Sequence, residues 1–271
     1  SLGYTIQIAG NWNNNSSGGS TYNPGGSEVI FNGSVDQYIN LTTASVNNFS
    51  KIRVNKQTST NFVRATRELT VSDKLWVRKG QFETTTTLYV GGDFLATDEG
   101  LFRFNSTYVL NKSLGNASIS GNNSRFFNLI VNGGATYNVL DNFRIDGNFQ
   151  VTAGEFNLNG NTLSLGDGSD VANISAKFTL GAGGTIRMGN NGIINVDNGG
   201  ILEVIGTSTL TSTITGNTSG DRYYLNVNSG GTIKARDYYF SGMALPGVYV
   251  KSGATIDPQN NFSKGSFSNP Q

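Results

Sequence analysis

Residues Phe126–Gly166 read FFNLIVNGGATYNVLDNFRIDGNFQVTAGEFNLNGNTLSLG. Apolar residues alternate with polar ones in runs of about three to five residues, each closed by Asn-Gly, Gly-Gly or Ala-Gly. Phe127, Leu129 and Val131 form one such set. Phe143 with Ile145, Phe149 with Val151, Phe156 with Leu158 and Leu163 with Leu165 form the others. Period-2 alternation between turn residues marks a half-buried strand, and strands this short and regular predict the walls of a coil. The same pattern runs through almost the whole chain.

A finer motif, one or two small residues followed by an apolar-x-apolar step, sits inside these runs. It occurs at 79–82, 99–102, 153–156, 183–186, 199–201, 230–233 and 252–256. Its spacing is often near 20 residues, the length of one solenoid coil in which glycine supplies the positive φ of each corner. About a dozen such coils at ~4.8 Å each give a rod about 55–60 Å long. No segment carries a 3.6-residue apolar period, so no helix is predicted. The expected fold is all-β, a parallel β-helix or solenoid forming one elongated domain over 1–271. Inside it, two blocks repeat in the same order at an offset of about 75 residues, roughly 28–91 and 101–166. FSKIRVN (49–55) matches FFNLIVN (126–132), and Gly80 aligns with Gly154, Phe82 with Phe156 and Leu75 with Phe149. A third, looser copy starts at Asp221.

Composition narrows function. With no Cys and no His, disulfides, thiolate or imidazole metal sites and Ser-His-Asp or Cys-His catalysis are excluded. Charged residues make up 14%, so Asn, Ser, Thr and Gly carry much of the solvation. A net charge of +1 supplies no global field for nucleic acid or membrane, and no apolar run is long enough for a membrane span. The chain opens on SLGYTIQIAG, with Leu2, Tyr4, Ile6 and Ile8 alternating, which reads as a mature or trimmed start.

The blocks from GNW to TLYVGGDF and from FNST to TLSLGDG resemble repeats in large secreted surface proteins of Bacteroidetes-type bacteria. That resemblance implies right-handed coils and an extracellular or cell-surface location. The final NNFSKGSFSNPQ looks like the middle of a repeat, so a fragment is expected.

Candidate functional residues are few. Lys51, Arg53, Lys56, Arg64, Arg67, Lys74, Arg78 and Lys79 hold eight of the 19 basic residues, opposed in that interval only by Glu68 and Asp73. On a solenoid wall they suggest a positive stripe for an acidic polysaccharide or a partner, against the plainer reading of a solvated face that discourages edge pairing. Asp167 and Asp170 in GDGSD are the Ca²⁺ candidates, against a plain Asp/Gly turn. No other cofactor is expected. Asp93, Asp98 and Glu99 form the other acidic cluster.

Adjacent aromatics such as Tyr223-Tyr224 and Tyr238-Tyr239 must turn one ring outward. The run Gly206–Thr215, if extended, sets Thr207, Thr209, Thr211, Thr213 and Thr215 on one face. A Thr array of that kind binds ordered surfaces such as ice only when repeated over several coils. Sequons at Asn32, Asn40, Asn48, Asn105, Asn116, Asn122, Asn173 and Asn217 mark candidate glycosylation sites. The unpaired strands at the two ends of a β-helix are candidate contacts with other copies or neighbouring domains. The leading expectation is a non-enzymatic extracellular stalk, filament subunit or adhesin module. The alternative is a carbohydrate-binding or polysaccharide-degrading β-helix.

Overall fold

A computed structural model describes residues 3–14, 24–41, 48–103 and 106–268. They form a parallel β-solenoid of about eleven turns, with strands and turns and no helix. Three walls repeat in each turn. Strand Leu69–Thr84 runs through all three in one piece: 69–71 pairs with 88–90 on wall 3, 74–77 with 93–96 on wall 1, and 81–84 with 62–65 on wall 2. All pairings are parallel. Wall 1 starts at Thr5–Ile8 on Glu28–Phe31 and ends with Thr232–Arg236 on Thr255–Ser263. Turns differ in length: Lys74 stacks on Asp93, nineteen residues later, whereas Glu203 stacks on Lys234, thirty-one later. The surplus sits at corners such as 206–211, outside the ladders.

Alternation places the core. Leu129, Val131, Phe143, Ile145, Phe149, Val151, Phe156, Leu158, Leu163 and Leu165 are buried. Phe127 is 47% exposed, and Phe126 is buried in its place. A corner at 127 separates Arg125–Phe126 on wall 2 from 128–131, the wall 3 part of strand Asn128–Val139, so the in-out phase shifts there. Rings stack up the axis as a spine. Phe94 lies 4.0 Å from Phe102 and 5.5 Å from Phe126, Phe126 lies 5.5 Å from Phe143, and Phe156 lies 5.7 Å from Phe178. Farther on, Leu180, Ile186, Ile194, Val196, Leu202, Val204 and Ile214 fill the same space. The doublets split as expected: Tyr223 and Tyr238 are buried, Tyr224 and Tyr239 are exposed. In the glycine motif the inward residue is the second after glycine, as at Phe82, Phe156 and Ile233; Ile201 points outward and Leu202 fills the core.

Gly80 and Gly154 both hold positive φ, at 94° and 70°. They turn different corners: Gly80 lies between walls 1 and 2, and Gly154 between walls 3 and 1. Leu75 and Phe149 likewise lie on different walls. The likeness between the two blocks is therefore one of strand–corner–strand units, out of phase with the turns. The threonine run is not extended throughout. Thr207 and Leu210 close a turn by mutual backbone hydrogen bonds, and only Ser212–Gly216 is a strand. The threonine row that does form crosses coils, with Thr162 beside Thr185 and Thr185 beside Thr213, until Tyr239 ends it. Leu2 and Asn105 lie outside the described residues.

Buried polar groups pin the corners. The hydroxyls of Tyr108 and Tyr223 donate to the carbonyls of Arg103 and Ile214, and the Tyr137 hydroxyl accepts from the N–H of Lys112. Burial raises all three phenols, Tyr137 to about 12. Lys56, 2% exposed, donates to the Val35 carbonyl and to Gln37 Oε1, itself fully buried. Desolvation lowers Lys56 to about 8 from 10.5, against the attraction of Asp36.

Gly80→Ala should destabilise the fold by at least ~1–2 kcal/mol, because its Cβ would also meet the Lys56 side chain at 2.4 Å and the Asn61 carbonyl at 2.8 Å. Gly168→Ala meets nothing within 4 Å and should be near neutral, with urea titration of both variants and the parent as the measurement. The pH dependence has two opposed parts. Lys56 binds its proton less tightly folded than unfolded, so its penalty is complete below about pH 8 and fades as pH rises towards 10.5. The three phenols stay protonated folded after the unfolded chain ionises at about pH 10, so their contribution is lost above that. Melting temperature should climb from pH 8 and then drop past about pH 10; Lys56→Met should flatten the climb and leave the drop.

Candidate functional site: an arginine groove on wall 2

The parallel register decides what each outward side chain meets. Positions in the same place on successive coils lie about 4.8 Å apart, so charges far apart in sequence become neighbours. The eight basic residues 51–79 are not gathered on one stripe. Lys51, Arg53 and Lys74 face outward on wall 1, Arg64 on wall 2, and Arg67, Arg78 and Lys79 lie at corners, while Lys56 is inside.

Most meet an acid from an adjacent coil. Arg53 forks onto Glu28 at 3.0 and 2.8 Å, Lys51 reaches Asp73 at 3.4 Å, and Arg64 reaches Glu83 at 2.9 Å. Arg78 pairs with Asp98 at 2.9 Å and Lys79 with Glu99 at 3.1 Å. Lys74 and Arg53 both lie over the Trp76 ring, at 5.0 and 4.7 Å. Farther along wall 1, Lys177 meets Glu155 at 3.1 Å and Glu203 at 3.8 Å, and Lys234 meets Glu203 at 3.6 Å. Burial opposes the charge on Glu155, but hydrogen bonds from Thr179, Lys177 and Thr136 outweigh it and hold the carboxyl below its usual value. Wall 1 carries a ladder of cross-coil ion pairs, interrupted where Lys51 stacks directly on Lys74.

Wall 3 is uncharged at the equivalent place. Asn226 Nδ2 donates to Asn195 Oδ1, and Asn195 Nδ2 to Asn173 Oδ1, each at 3.0 Å. Several sequon amides are engaged in this way: Asn40 donates to Asn13, Asn122 to the carbonyls of Asp98 and Gly100, and Asn217 to that of Gly166. Asp170 folds back to accept from the N–H groups of Asp167 and Gly168 at 3.1 and 3.3 Å, a turn closed on itself. Asp167 lies 3.9 Å from Arg144. Asp93 accepts from the Ser118 N–H at 3.0 Å. Among the described residues no three acids converge as a metal site would require.

Wall 2 differs. Arg125 stacks on Arg144, Arg144 on Ser164, and Ser164 on Arg187. These side chains, with Asn123, Asn142 and Thr162, line an open groove of about 500 Å³ floored by buried Phe143. A smaller hollow of about 270 Å³ continues it past Asn123–Arg125 to Arg103, Leu101 and Gln81. Asp146, 7% exposed, lies under the first two guanidinium groups, accepting from Arg125 at 2.7 Å and from Arg144 Nε. Arg187 is exposed and makes no ion pair among the described residues. The charge runs of the sequence do not show this set, because its members are nineteen and forty-three residues apart. The available signal was an arginine in the outward slot of an apolar-x-apolar strand, as in FRI (143–145) and TIRM (185–188).

No protein-family model, curated protein or solved structure matches the chain. Among the described residues, no helix is long and apolar enough to cross a membrane.

Asp146→Asn should destabilise the fold by about 1–3 kcal/mol, since it strands two stacked guanidinium groups above an amide. Added salt should restore part of that by screening their repulsion. In a double-mutant cycle, Asp146→Asn with Arg144→Gln should cost less than the sum of the two; strict additivity would mean that Asp146 does not hold the pair.

Proposed function

We propose that this chain is a non-enzymatic extracellular structural and adhesive module, a rigid solenoid rod that spaces its two ends apart and offers its walls to ligands. The observation that carries the reading is the parallel stacking of about eleven turns around one apolar core, with cross-coil ion pairs along wall 1. Such a rod resists bending because its turns are bonded to one another along the walls. The repeat likeness to secreted surface proteins of Bacteroidetes-type bacteria supports the extracellular location. Polysaccharide binding is the second reading, favoured by the groove on wall 2.

The absence of Cys makes site-specific labelling direct. Spin labels at Thr5 and Thr255, exposed on the first and last rungs of wall 1, should give one narrow distance near 50–55 Å. A broad or much shorter distribution would remove the rod. Incubation with polysaccharides should leave their chain length unchanged; progressive shortening would replace this reading with the degrading one.

A further inference from the structure

We infer that wall 3, between 130 and 249, binds a linear neutral polysaccharide laid along the rod axis. A column of amides takes its hydroxyls, and an apolar column abreast of them takes its C–H faces. The inference rests on the adhesive reading above and assigns it a surface apart from the groove on wall 2.

Two unlike columns share one face. Val171 with Asn173, Ile193 with Asn195 and Tyr224 with Asn226 are each two residues apart in a strand, so both members of a pair point the same way. Ala172, Ile194 and Leu225 between them are buried. The register stacks Val171, Ile193 and Tyr224 in one column and the three asparagines in the next, over three successive coils. A pyranose ring has an apolar face of C–H groups and a rim of hydroxyls, and the two columns match one each. The ladder holds the amides in place: Asn195 donates one N–H to Asn173 and accepts one from Asn226, and keeps one donor and one acceptor site for a ligand.

Reach and charge select the ligand. The amide column continues in register to Gln150 and Ile130 on one side and to Tyr249 on the other, about 24 Å along the axis at the strand spacing. That length suits an extended chain. Neither column holds an Asp, Glu, Lys or Arg. Flanking charges are turned elsewhere: Arg222 donates to the carbonyls of Ser219 and Asp221, Asp197 accepts from Asn228, and Lys251 lies at the corner past Tyr249. An acidic polysaccharide or a nucleic acid therefore finds no counter-charge within either column. Tyr224 and Tyr249, 38% and 49% exposed, present rings at one end on which a sugar can stack. A second copy of the chain fits less well. A stable interface covers about 800 Å² on each partner, whereas the apolar column is Val171, Ile193 and Tyr224, the first two half-buried.

The test is titration calorimetry of the whole chain with barley β-glucan, galactomannan and alginate, at low and high salt. At least one of the two neutral polysaccharides should bind, equally at both salts. Tyr224→Ala should weaken that binding roughly tenfold, and Tyr224→Trp should keep it, both melting like the parent protein. Asn195→Leu, a side chain of similar shape with no hydrogen-bonding group, should weaken it as well. Arg187→Gln, on wall 2, should bind as the parent does. If Tyr224→Ala and Asn195→Leu keep full binding, wall 3 is not the site; if Arg187→Gln alone loses it, the rod adheres through wall 2 instead. Binding of alginate only, or of none of the three, overturns the inference. So does a dimer in light scattering that Tyr224→Ala dissolves, which would make this face a self-contact. The spin-label distance reports on the rod by itself in every case.

Discussion

Stacking in parallel register makes the residue one coil away, about 4.8 Å above or below, the closest neighbour of every wall position. The core follows from that constraint as much as the surface does. A phenylalanine is buried only if the coils on both sides present apolar residues in the same column, and the spine from Phe94 to Phe178 is that requirement met on five successive coils. Outward columns obey the same rule with different chemistry. They are cation against acid along much of wall 1, amide to amide on wall 3, and arginine on arginine over a buried carboxylate on wall 2.

Corners are where the chain is free to vary. A wall position must match its neighbours, whereas a corner must only return the chain to the next wall. Coils of nineteen and thirty-one residues therefore stack in the same solenoid. Left-handed backbone concentrates at such bends, on glycine and on asparagines such as Asn122, Asn123, Asn159 and Asn191, with φ between 46° and 64°. High Asn and Gly content is thus a structural property of the corners as well as a means of solvation.

Much of the solenoid was legible because alternation and glycine corners are local signals. Leu163 with Leu165 and Gly154 before Phe156 announce strand and corner within a few residues. Phe127 misleads for a physical reason: at a corner the in-out phase resets, and no local pattern says by how much. Partners across coils were not legible. The turn length varies, so nothing in the sequence says that Arg53 will meet Glu28 or that Lys79 will meet Glu99. A run of basic residues looks like one positive stripe when most of its members have an acid waiting about twenty residues away. The arginine groove was hidden for the converse reason, since its members are isolated in sequence and become a set only when the coils stack.

The strand Leu69–Thr84 passes two corners without leaving its ladders, and its hydrogen bonds to the coils on either side run along the rod axis. A load pulling the two ends apart therefore acts in line with those bonds and opens a turn one pair after another, in the manner of a zipper. A load pushing sideways on a wall must shear a whole face of bonds together. The rod is mechanically anisotropic: compliant turn by turn under axial tension, stiff against transverse shear. The direction in which its ends are anchored decides which of the two it is.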